Sequence, residues 1–478
     1  MIIDQESFIK KYVEHIEEGD AALFIGAGMS VSQGFVDWRS LLREIADDLK
    51  LEINKEYDLL SVAQFHFNKF GRNSINKKII DEYSKKAVES KNHQIIARIP
   101  IDTIWTTNYD KLIEKSIEKA DKRADVKTTV SSLANNKKGR DVTVFKMHGD
   151  VDRPEEAVLI KDDYQSYHIR RQEFTNTLVS HFITKTFLFL GFSFTDPNID
   201  YILSRVKLEI DKNARPHYCI IRKVKQEGEY KKKADFEYAI RKQELLIEDL
   251  RRFNIHTVLI SEYSDITNIL LEVERRYKQK TIYISGSAVR FNTYSQDEAT
   301  NFIHNLSHSL IEKGYNIVTG FGWGVGSAVI NGALQAIYSD SQKYSDKQLT
   351  IRPFPQLVIG ELDKDTLWHE YRERMLNLAG IAIFLFGNKE KGDEIINSDG
   401  VRKEFEIAKK QNILLLPVGA TGYMSFELWE EVYNNLKYYF PSRSKVFNTL
   451  FTSLSNNTIP LSSHLETIHK ILSLIKKP

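Results

Sequence analysis

Four short motifs in the first half of the chain combine glycine with polar side chains, and each follows an apolar run. In chain order they are Gly26-Ala27-Gly28-Met29-Ser30, Thr106-Thr107-Asn108-Tyr109-Asp110, Met147-His148-Gly149 and Gly191-Phe192-Ser193. The histidine is chemically the most versatile, because imidazole exchanges protons near neutral pH. Glycines at the end of a strand let the backbone approach a phosphate, and the helix that follows offers unpaired N–H groups. The motifs therefore predict a site for a phosphorylated ligand, with His148 available for proton transfer.

Each motif also has a purely structural explanation. A glycine-rich turn can serve packing alone, and both Asp110 and Asp196, which precedes Pro197, suit the capping of a helix. At Gly26 and Gly28 the context favours a dinucleotide site, since the turn joins an apolar run to helical sequence.

The densest glycine cluster lies in the second half, where Gly320, Gly322, Gly324 and Gly326 occupy every second position. This spacing suits a backbone wrapped around phosphate or ribose, and it exceeds what an ordinary helix-packing turn needs. The second half therefore predicts a ligand site of its own.

Three charged side chains are suited to complete this second site, with an ordinary surface charge as the alternative for each. Arg372 and Lys389 are candidate phosphate partners, and Glu404 can accept hydrogen bonds from ribose hydroxyls. The full set of candidate ligand residues in this half is Gly286, Ser287, Gly322, Trp323, Gly324, Arg372, Lys389, Glu404, Gly419 and Ala420.

Short apolar runs, separated by segments with helical periodicity, must position these motifs. The predicted strands are Ala21–Ile25, Thr103–Thr106, Val142–Met147, Thr186–Leu190, His217–Ile221, Thr257–Ile260, Thr281–Ile284, Ile317–Val318, Gly380–Leu385 and Ile413–Pro417. This alternation predicts an α/β protein with two Rossmann-like domains, each a mainly parallel sheet flanked by helices. The charged stretch Glu274–Lys280 places the boundary, giving domains over residues 1–277 and 278–478. The segment Glu229–Phe253 predicts one long helix for packing or oligomer contacts.

Composition argues against several functions and sites. The chain has 478 residues and a formal net charge of +2, so no global field attracts nucleic acid or an anionic membrane. The single cysteine, Cys219, excludes an internal disulfide and a zinc site built from cysteines, and we expect no metal. Neither a signal peptide nor an apolar stretch of membrane-spanning length is evident, so we expect a cytoplasmic protein.

The order and spacing of the four motifs in the first half resemble the sirtuin family, over roughly residues 21–263. The resemblance implies an NAD+ site. Its implied phosphate-binding residues are Gly26, Ala27, Gly28 and Ser30. Asp37 and Arg39 are expected near the nicotinamide end, and Asn108 and His148 are expected to line the nicotinamide ribose. The remaining candidate NAD+-binding residues are Asp110, Gly191 and Ser193.

One departure from the sirtuin pattern bears on the reaction. Most protein deacylases of this family carry a small zinc module built from four cysteines, and this chain has one cysteine in total. The resemblance therefore favours NAD+ hydrolysis over deacylation. The resemblance implies that in this reaction Asn108 orients the ribose and the attacking water, while His148 acts as general base or binds the ribose hydroxyls.

The second half, about residues 281–436, resembles the SLOG superfamily of nucleotide binders. This superfamily includes phosphoribohydrolases with a PGGxGT motif and a downstream glutamate. The equivalent region here reads Phe386-Gly387-Asn388-Lys389, without the second glycine pair and the threonine. The difference favours ligand sensing over catalysis in this half.

A sirtuin-like half followed by a SLOG half resembles the effectors of the bacterial Thoeris antiphage systems. The resemblance implies that a TIR-domain partner makes a cyclic ADP-ribose isomer, which binds the SLOG half and switches on NAD+ depletion. It also implies a homo-oligomer, tetrameric or larger. The alternatives are an NAD+-dependent protein deacylase or ADP-ribosyltransferase, and a nucleotide sensor without catalysis.

Overall fold

The structure, a computed structural model, describes residues 2–86, 88, 90–210, 214–355, 363–441 and 444–476. It separates into two compact units, Met1–Glu274 and Arg275–Pro478. The sequence placed the boundary after residue 277, and both divisions fall within the helix Asp265–Lys278. Within the described ranges, no helix combines the length and the apolar character needed to cross a membrane.

The first unit is built on a sheet of eight parallel strands. These are β1 (Ile2–Ile3), β2 (Ala21–Ile25), β3 (Thr103–Thr106), β4 (Ala124–Lys127), β5 (Val142–Lys146), β6 (Thr186–Leu190), β7 (His217–Arg222) and β8 (Ile255–Ile260). Their order across the sheet is β1-β8-β7-β6-β2-β3-β5-β4. Every residue of β2, β3 and β6 is buried, as expected for central strands of a parallel sheet that helices cover on both faces.

Among the residues that the structure describes, twelve α-helices accompany this sheet. They are α1 (Gln5–Glu18), α2 (Trp38–Asp48), α3 (Leu59–Phe70), α4 (Arg72–Tyr83), α5 (Lys91–Arg98), α6 (Leu112–Lys119), α7 (Val130–Ala134), α8 (Lys161–Arg170), α9 (Gln172–Thr184), α10 (Pro197–Ile210), α11 (Lys233–Arg251) and α12 (Asp265–Lys278). Asp4, Asp37 and Asp58 cap α1, α2 and α3 by accepting a backbone N–H, which stabilises a helix start by about 1 kcal/mol each. Helices α2 to α4 lie between β2 and β3 in the sequence, and they share a small hydrophobic core.

The second unit contains a parallel sheet of five strands and a separate antiparallel hairpin. Its strands are β9 (Thr281–Ser287), β10 (Asn316–Thr319), β11 (Leu349–Ile351), β12 (Ile381–Phe386), β13 (Asn388–Lys391), β14 (Glu394–Asn397) and β15 (Leu414–Pro417). The sheet order is β11-β10-β9-β12-β15, and β13 pairs with β14.

The helices of the second unit are α13 (Gln296–Glu312), α14 (Gly326–Ser339), α15 (Lys364–Leu376), α16 (Asp399–Lys410), α17 (Tyr423–Asn434), α18 (Leu436–Tyr439), α19 (Lys445–Ser453) and α20 (Ser463–Lys476). One hydrophobic core joins the strands β9, β10, β12 and β15 to these helices.

The predicted α/β class with two parallel sheets is confirmed. All ten predicted strands are present, whereas β1, β4, β11 and the β13–β14 hairpin were not predicted. The predicted long helix is α11, which is shorter at both ends, and its buried residues are Ile247 and Leu250.

Candidate active site and ligand site

Four neighbouring strands of the first unit carry the four motifs at their carboxyl ends. The strands lie in the order β6-β2-β3-β5, and they are followed by Gly191, Gly26, Asn108 and His148 respectively. From β2 the chain first adds β3 on one side of β2 and later adds β6 on its other side. The order in which strands are added to the sheet therefore reverses between β2 and β6. Ligands of open α/β sheets bind at this kind of switch point.

The glycines of the first motif bring two turns into backbone contact. The amides of Gly26 and Gly28 donate to the carbonyls of Leu190 (2.9 Å) and Gly191 (3.0 Å). A Cβ on Gly28 would lie 2.9 Å from the carbonyl oxygen of Gly191, and one on Gly191 would lie 2.5 Å from the Met29 nitrogen. The glycines thus have a packing role in addition to any ligand contact.

Within this turn, Ala27 retains an amide with no partner among the residues that the structure describes. Ala27 is partly exposed and Gly28 is exposed, while Ser30 is buried. An N–H group at the exposed start of a turn is the kind of donor that binds phosphate.

Asn108 is buried at the end of β3, with 6% of its surface exposed. Its Nδ2 donates to the carbonyl of Gly26 and to Oγ of Ser30, both at 3.2 Å, and its amide donates to Oγ1 of Thr106 at 3.0 Å. Its Oδ1 is buried without a hydrogen-bond partner among the described residues. A buried acceptor left without a donor costs about 1–3 kcal/mol, so Oδ1 is well placed to receive a ligand hydroxyl or water.

His148 is buried in the turn after β5, with its ring beside those of Tyr164 and Tyr167 at 5.4 and 6.2 Å. Its Nε2 lies 3.3 Å from Oδ2 of Asp196, an approach without hydrogen-bond geometry, so Nε2 is buried with no hydrogen-bond partner among the described residues. Burial lowers the pKa of His148, and the carboxylate of Asp196 partly opposes this change. The ring is therefore neutral near pH 7, which is the form that accepts a proton.

A buried lysine links the turns that hold Asn108 and His148. Nζ of Lys146 donates to the carbonyls of Tyr109 (3.2 Å) and Asp110 (2.6 Å), to Oε1 of Glu114 (3.0 Å) and to Asp150. Asp110 also accepts the amide of Leu112 at 2.9 Å, while its Oδ2 is buried and unpaired among the described residues. The sequence reasoning missed Lys146, Glu114 and Asp150, although a lysine ending an apolar strand was a visible hint.

Three predicted NAD+-binding residues lie on the surface, where the structure gives each of them a local role. Asp37 caps α2 through Ser40, Arg39 donates to the carbonyl of Ile53 at 3.2 Å, and Ser193 bonds Thr195 at 2.8 Å. Within the described ranges, no hydrogen bond or ion pair joins them to Asn108 or His148.

Two cavities lie near the sheet but away from Asn108. One of about 610 Å³ is lined by residues of β3, β4, β5 and α9, including Lys127, Phe145 and His181. The other, of about 190 Å³, is lined by Phe35, Tyr83 and the lysines Lys85, Lys111 and Lys115 among others. Because neither is lined by Asn108 or His148, we place the candidate active site by its polar groups rather than by cavity size.

His15, Glu18 and Asp20 form one cluster of side chains within reach of a shared cation. Asp20 is already engaged, since it binds His15 at 2.9 Å and pairs with Arg215. We assign no ion to this cluster.

The second unit repeats the arrangement, with β10, β9, β12 and β15 adjacent and their glycine-containing turns at one edge of the sheet. A Cβ on Gly322 would collide with the carbonyl of Gly286, and one on Gly324 with the carbonyl of Ala288. The amide of Ala288 also donates to the carbonyl of Trp323 at 2.8 Å. The alternating glycines thus allow the loop to pack directly against the end of β9.

Arg372 and Glu404 are buried together, with 6% and 7% of their surfaces exposed. Nε of Arg372 lies 3.7 Å from Oε1 of Glu404, and the guanidinium packs over the rings of Phe354 (4.8 Å) and Trp368 (5.6 Å). Oε2 of Glu404 accepts from Ser285 at 2.6 Å.

The charges of this pair are incompletely compensated. Burial raises the pKa of Glu404, although Ser285 and Arg372 oppose the rise. Nε of Arg372 has no hydrogen-bond partner among the described residues. A buried guanidinium in this state is suited to bind an anion such as phosphate.

The other predicted ligand residues of the second unit divide into two groups. Lys389 lies in the hairpin and pairs with Asp399, within reach of solvent. Gly419 and Ala420 are buried, with Gly419 against Trp429 and the Ala420 amide bonded to Leu454. The structure therefore gives Gly419 and Ala420 a packing role and leaves Ala420 no surface for a ligand.

The sequence reasoning also missed Asn388. It is fully buried, and its Oδ1 accepts the amides of Val289 (2.8 Å) and Arg290 (3.0 Å). Its Nδ2 donates to the carbonyl of Arg290 at 2.8 Å, while its own carbonyl accepts from Ser287 at 3.0 Å. Asn388 thus fixes the loop that follows β9.

Comparisons with known proteins match two parts of the chain to two different family models. Residues 102–244 match the family model described as a SIR2-like domain, and residues 265–477 match the model of the Sir2- and TIR-associating SLOG family. A Bacillus cereus protein named NAD(+) hydrolase ThsA is 46% identical over 472 residues, covering 98% of each chain. The chain belongs to the ThsA family. An Acinetobacter baumannii ThsA is 40% identical and covers 99% of each chain.

A more distant relative with a different name matches only part of the chain. A Bacillus subtilis protein named Defense-associated sirtuin 2 is 28% identical over 219 residues, covering 44% of this chain and 22% of that protein. The SIR2-like match contains Asn108, His148 and Asp196, and the SLOG match contains Arg372 and Glu404.

Proposed function

We propose that the first unit hydrolyses NAD+ to nicotinamide and ADP-ribose. The observation that carries this proposal is the buried, unpaired Oδ1 of Asn108, close to the turn at Gly26. It is supported by the buried His148 at the end of the adjacent strand and by ThsA relatives whose names describe NAD(+) hydrolases. The phosphates would meet the turn from Gly26 to Ser30, with the exposed edge at Ala27 and Gly28.

The proposed reaction breaks the bond between C1′ of the ribose and the nicotinamide nitrogen. The electron pair leaves with nicotinamide, which is cationic in NAD+ and needs no proton to depart. The transition state resembles an oxocarbenium ion, as in glycoside hydrolysis. Water forms the new bond to C1′ and releases one proton. Asn108 orients the ribose and the water, and His148 takes the proton or holds the ribose hydroxyls.

The test is NAD+ loss from the purified full-length protein, with and without cyclic ADP-ribose isomers. Asn108→Ala and His148→Ala are each expected to lower turnover by about 10²–10⁴-fold without loss of folding. His168→Ala, at an exposed histidine of α8, serves as the matched control. Full turnover in either variant would contradict the assignment of that residue. Formation of O-acetyl-ADP-ribose from an acetylated peptide would instead support a deacylase.

We further propose that a cyclic ADP-ribose isomer binds the second unit and activates hydrolysis. Arg372 would bind its phosphates, Glu404 its ribose hydroxyls, and the loop carrying Trp323 would border the ligand. Gly286 and Ser287 end β9, and Lys389 lies in β13, which follows β12, the strand next to β9. For activation, the isomer must bind the active state of the protein more tightly than the resting state.

Arg372→Ala is expected to abolish activation without changing the NAD+ site. Lys410→Ala, at an exposed lysine of α16, is the matched control. A normal response of the Arg372 variant to the isomer would refute this part of the proposal.

The biological setting is also a proposal, supported by the match to the Sir2- and TIR-associating SLOG family. In it, a TIR-domain partner makes the isomer upon phage infection, and NAD+ depletion in the cytoplasm halts the cell. The protein acts as a tetramer or larger homo-oligomer and uses no metal ion. Light scattering with and without the isomer tests the assembly, and retention of activity in EDTA tests the absence of a metal requirement.

A further inference from the structure

Asp196 contacts the proposed catalytic histidine from a different part of the sheet. His148 follows β5, whereas Asp196 lies in the turn between β6 and α10. Two strands, β2 and β3, separate β5 from β6 in the sheet. The turn after β6 therefore extends over the ends of β2 and β3, bringing Oδ2 of Asp196 to 3.3 Å from Nε2 of His148.

The two carboxylate oxygens of Asp196 have different partners. Oδ1 accepts the amides of Asn198 (2.9 Å) and Ile199 (3.2 Å) and so caps α10. Oδ2 faces His148, and only 12% of the Asp196 side chain and 4% of the His148 side chain are exposed. Helix capping alone uses one oxygen, so it leaves the position of the second oxygen against a buried histidine unexplained.

Aromatic packing holds this turn in place. The ring of Phe192 lies 4.8 Å from that of Phe24, and the ring of Phe194 lies 4.8 Å from that of Phe189. Phe24 and Phe189 are buried in the central strands β2 and β6. The carboxylate is therefore fixed by the core at one end of the turn and by the helix start at the other.

Several charged groups around the imidazole ring of His148 affect its pKa, and the Asp196 carboxylate is one of them. The charged and titratable groups that act on or face the ring are Asp196, Asp163, Arg171, Tyr164 and Tyr167. Burial and Arg171 both lower the pKa of His148, while Asp196 and Asp163 raise it. Among these groups Asp196 is the one that places a carboxylate oxygen beside the ring, 3.3 Å from Nε2.

We propose that Asp196 is a positioning residue for His148, which orients the imidazole through Nε2 and stabilises the positive charge that the ring acquires during NAD+ hydrolysis. With Nε2 facing Asp196, Nδ1 takes the proton that water loses as its oxygen bonds to C1′. The proton then leaves to solvent, which restores the neutral ring. This inference rests on the proposed function and adds a residue to it.

Asp196→Asn is the informative variant, because asparagine caps helices as well as aspartate does but carries no charge. We expect kcat to fall by about 10–100-fold with KM nearly unchanged, since the role concerns proton transfer rather than binding. The acidic limb of the pH profile is expected to move to lower pH, because loss of the negative charge lowers the pKa of His148. Wild-type kcat with an unmoved pH profile would overturn the proposal.

A second experiment measures the pKa of His148 in the absence of substrate. In full-length protein with ¹³C-labelled histidine, the His148 resonance is assigned by its loss in His148→Ala and titrated by NMR. The pKa of His148 is expected to fall by at least about one unit in Asp196→Asn, and an unchanged value contradicts the proposal. This titration tests Asp196 even if the wild-type protein hydrolyses no NAD+, an outcome that would refute only the proposed function.

Two further variants separate the charge of Asp196 from its capping role. Asp4→Asn makes the same substitution at the cap of α1, where Oδ1 accepts the amide of Ser7 at 2.8 Å, and it is expected to behave as wild type. Asp196→Ala removes both roles and is expected to lower the melting temperature, whereas Asp196→Asn keeps it. A wild-type melting temperature in Asp196→Asn and a lowered one in Asp196→Ala, with the pKa of His148 unmoved in Asp196→Asn, would reduce Asp196 to a helix cap.

Discussion

Replacement of Lys146 by methionine tests whether the buried network beneath the proposed active site is needed for stability and for catalysis. Lys146 is fully buried, and its ammonium group is surrounded by two carbonyl oxygens and the carboxylates of Glu114 and Asp150. Burial alone would lower the pKa of Lys146, but the two carboxylates raise it, so the lysine stays charged. Methionine keeps the apolar stem and removes the charge.

The loss of stability in Lys146→Met can be estimated from the buried groups that lose their partner. Two carboxylates lose their cation in a buried setting, and removal of one partner of a buried ion pair typically costs about 3–5 kcal/mol. Burial already raises the pKa of Glu114, so protonation of Glu114 limits the loss at acidic pH. We expect a decrease of about 3–5 kcal/mol in the free energy of unfolding at pH 7.5, and a smaller decrease at pH 5.5.

Lys127→Met provides a matched control on the neighbouring strand β4. Lys127 pairs with Asp125 at 2.9 Å, and only 2% and 3% of the two side chains are exposed. Urea unfolding followed by tryptophan fluorescence measures stability, and NAD+ loss below the unfolding transition measures activity. Both variants are expected to lose similar stability, but only Lys146→Met is expected to lower kcat, because its carbonyl partners directly follow Asn108 in the chain.

Two results would refute this reasoning. If Lys146→Met unfolds at the same urea concentration as wild type, the network contributes nothing measurable to stability. If Lys127→Met loses as much activity as Lys146→Met, the effect on kcat reflects general destabilisation rather than the position of the loop at Asn108.

Three further predictions concern backbone contact, the second site and acid stability. Gly191→Ala is expected to abolish NAD+ loss and lower the melting temperature, because its φ is +62° and its Cβ would lie 2.5 Å from the Met29 nitrogen. Asn388→Ala removes the hydrogen bonds that fix the loop after β9, so calorimetry should show at least about tenfold weaker binding of the activating isomer. Burial lowers the pKa of His93 to about 4 and that of His217 to about 3, from 6.5. Because the unfolded chain then binds more protons as pH falls below 6.5, urea unfolding at pH 5 should show a loss of about 2 kcal/mol per histidine relative to pH 7.5.

Strands could be predicted from the sequence where a simple local pattern, an uninterrupted apolar run, marks them. Central strands such as β2 and β6 are buried on both faces and therefore appear as uninterrupted apolar runs. The edge strand β4 did not fit this pattern, because Asp125 and Lys127 interrupt it. Their charges are tolerated there because they pair with each other inside the structure, a contact that alternation along the sequence does not reveal.

The positions of the candidate site residues at strand ends could be predicted from the sequence, but the contacts between their side chains could not. Asn108 and His148 each follow an apolar strand. Because the carboxyl ends of parallel strands lie at the same edge of a sheet, both residues could be predicted to lie at that edge. The contact between His148 and Asp196 joins turns from strands that are not neighbours, and the aspartate had a sufficient explanation as a helix cap. At Gly419, where a glycine after a strand suggested a ligand contact, the structure adds a packing constraint that the sequence did not reveal, because a Cβ there would meet the ring of Trp429.

The loop after β10 in the second unit carries backbone strain that bears on the proposed ligand site. Phe194, Phe321 and Phe386 all adopt positive φ, between 54° and 59°, a conformation that costs a residue with a side chain about 1–3 kcal/mol. Packing offsets this cost at Phe194 and Phe386, whose rings lie against Phe189 (4.8 Å) and Phe291 (5.4 Å).

Phe321 has no such compensation from burial, because 50% of its surface is exposed, and Trp323 in the same loop is 79% exposed. The loop is held instead by its glycines, which let it pack against the end of β9. It therefore keeps two aromatic rings in water on a strained backbone, beside the edge of the sheet at which we propose that the isomer binds. A planar base stacked on these rings would account for that arrangement, since stacking buries the exposed aromatic surface once ligand is bound.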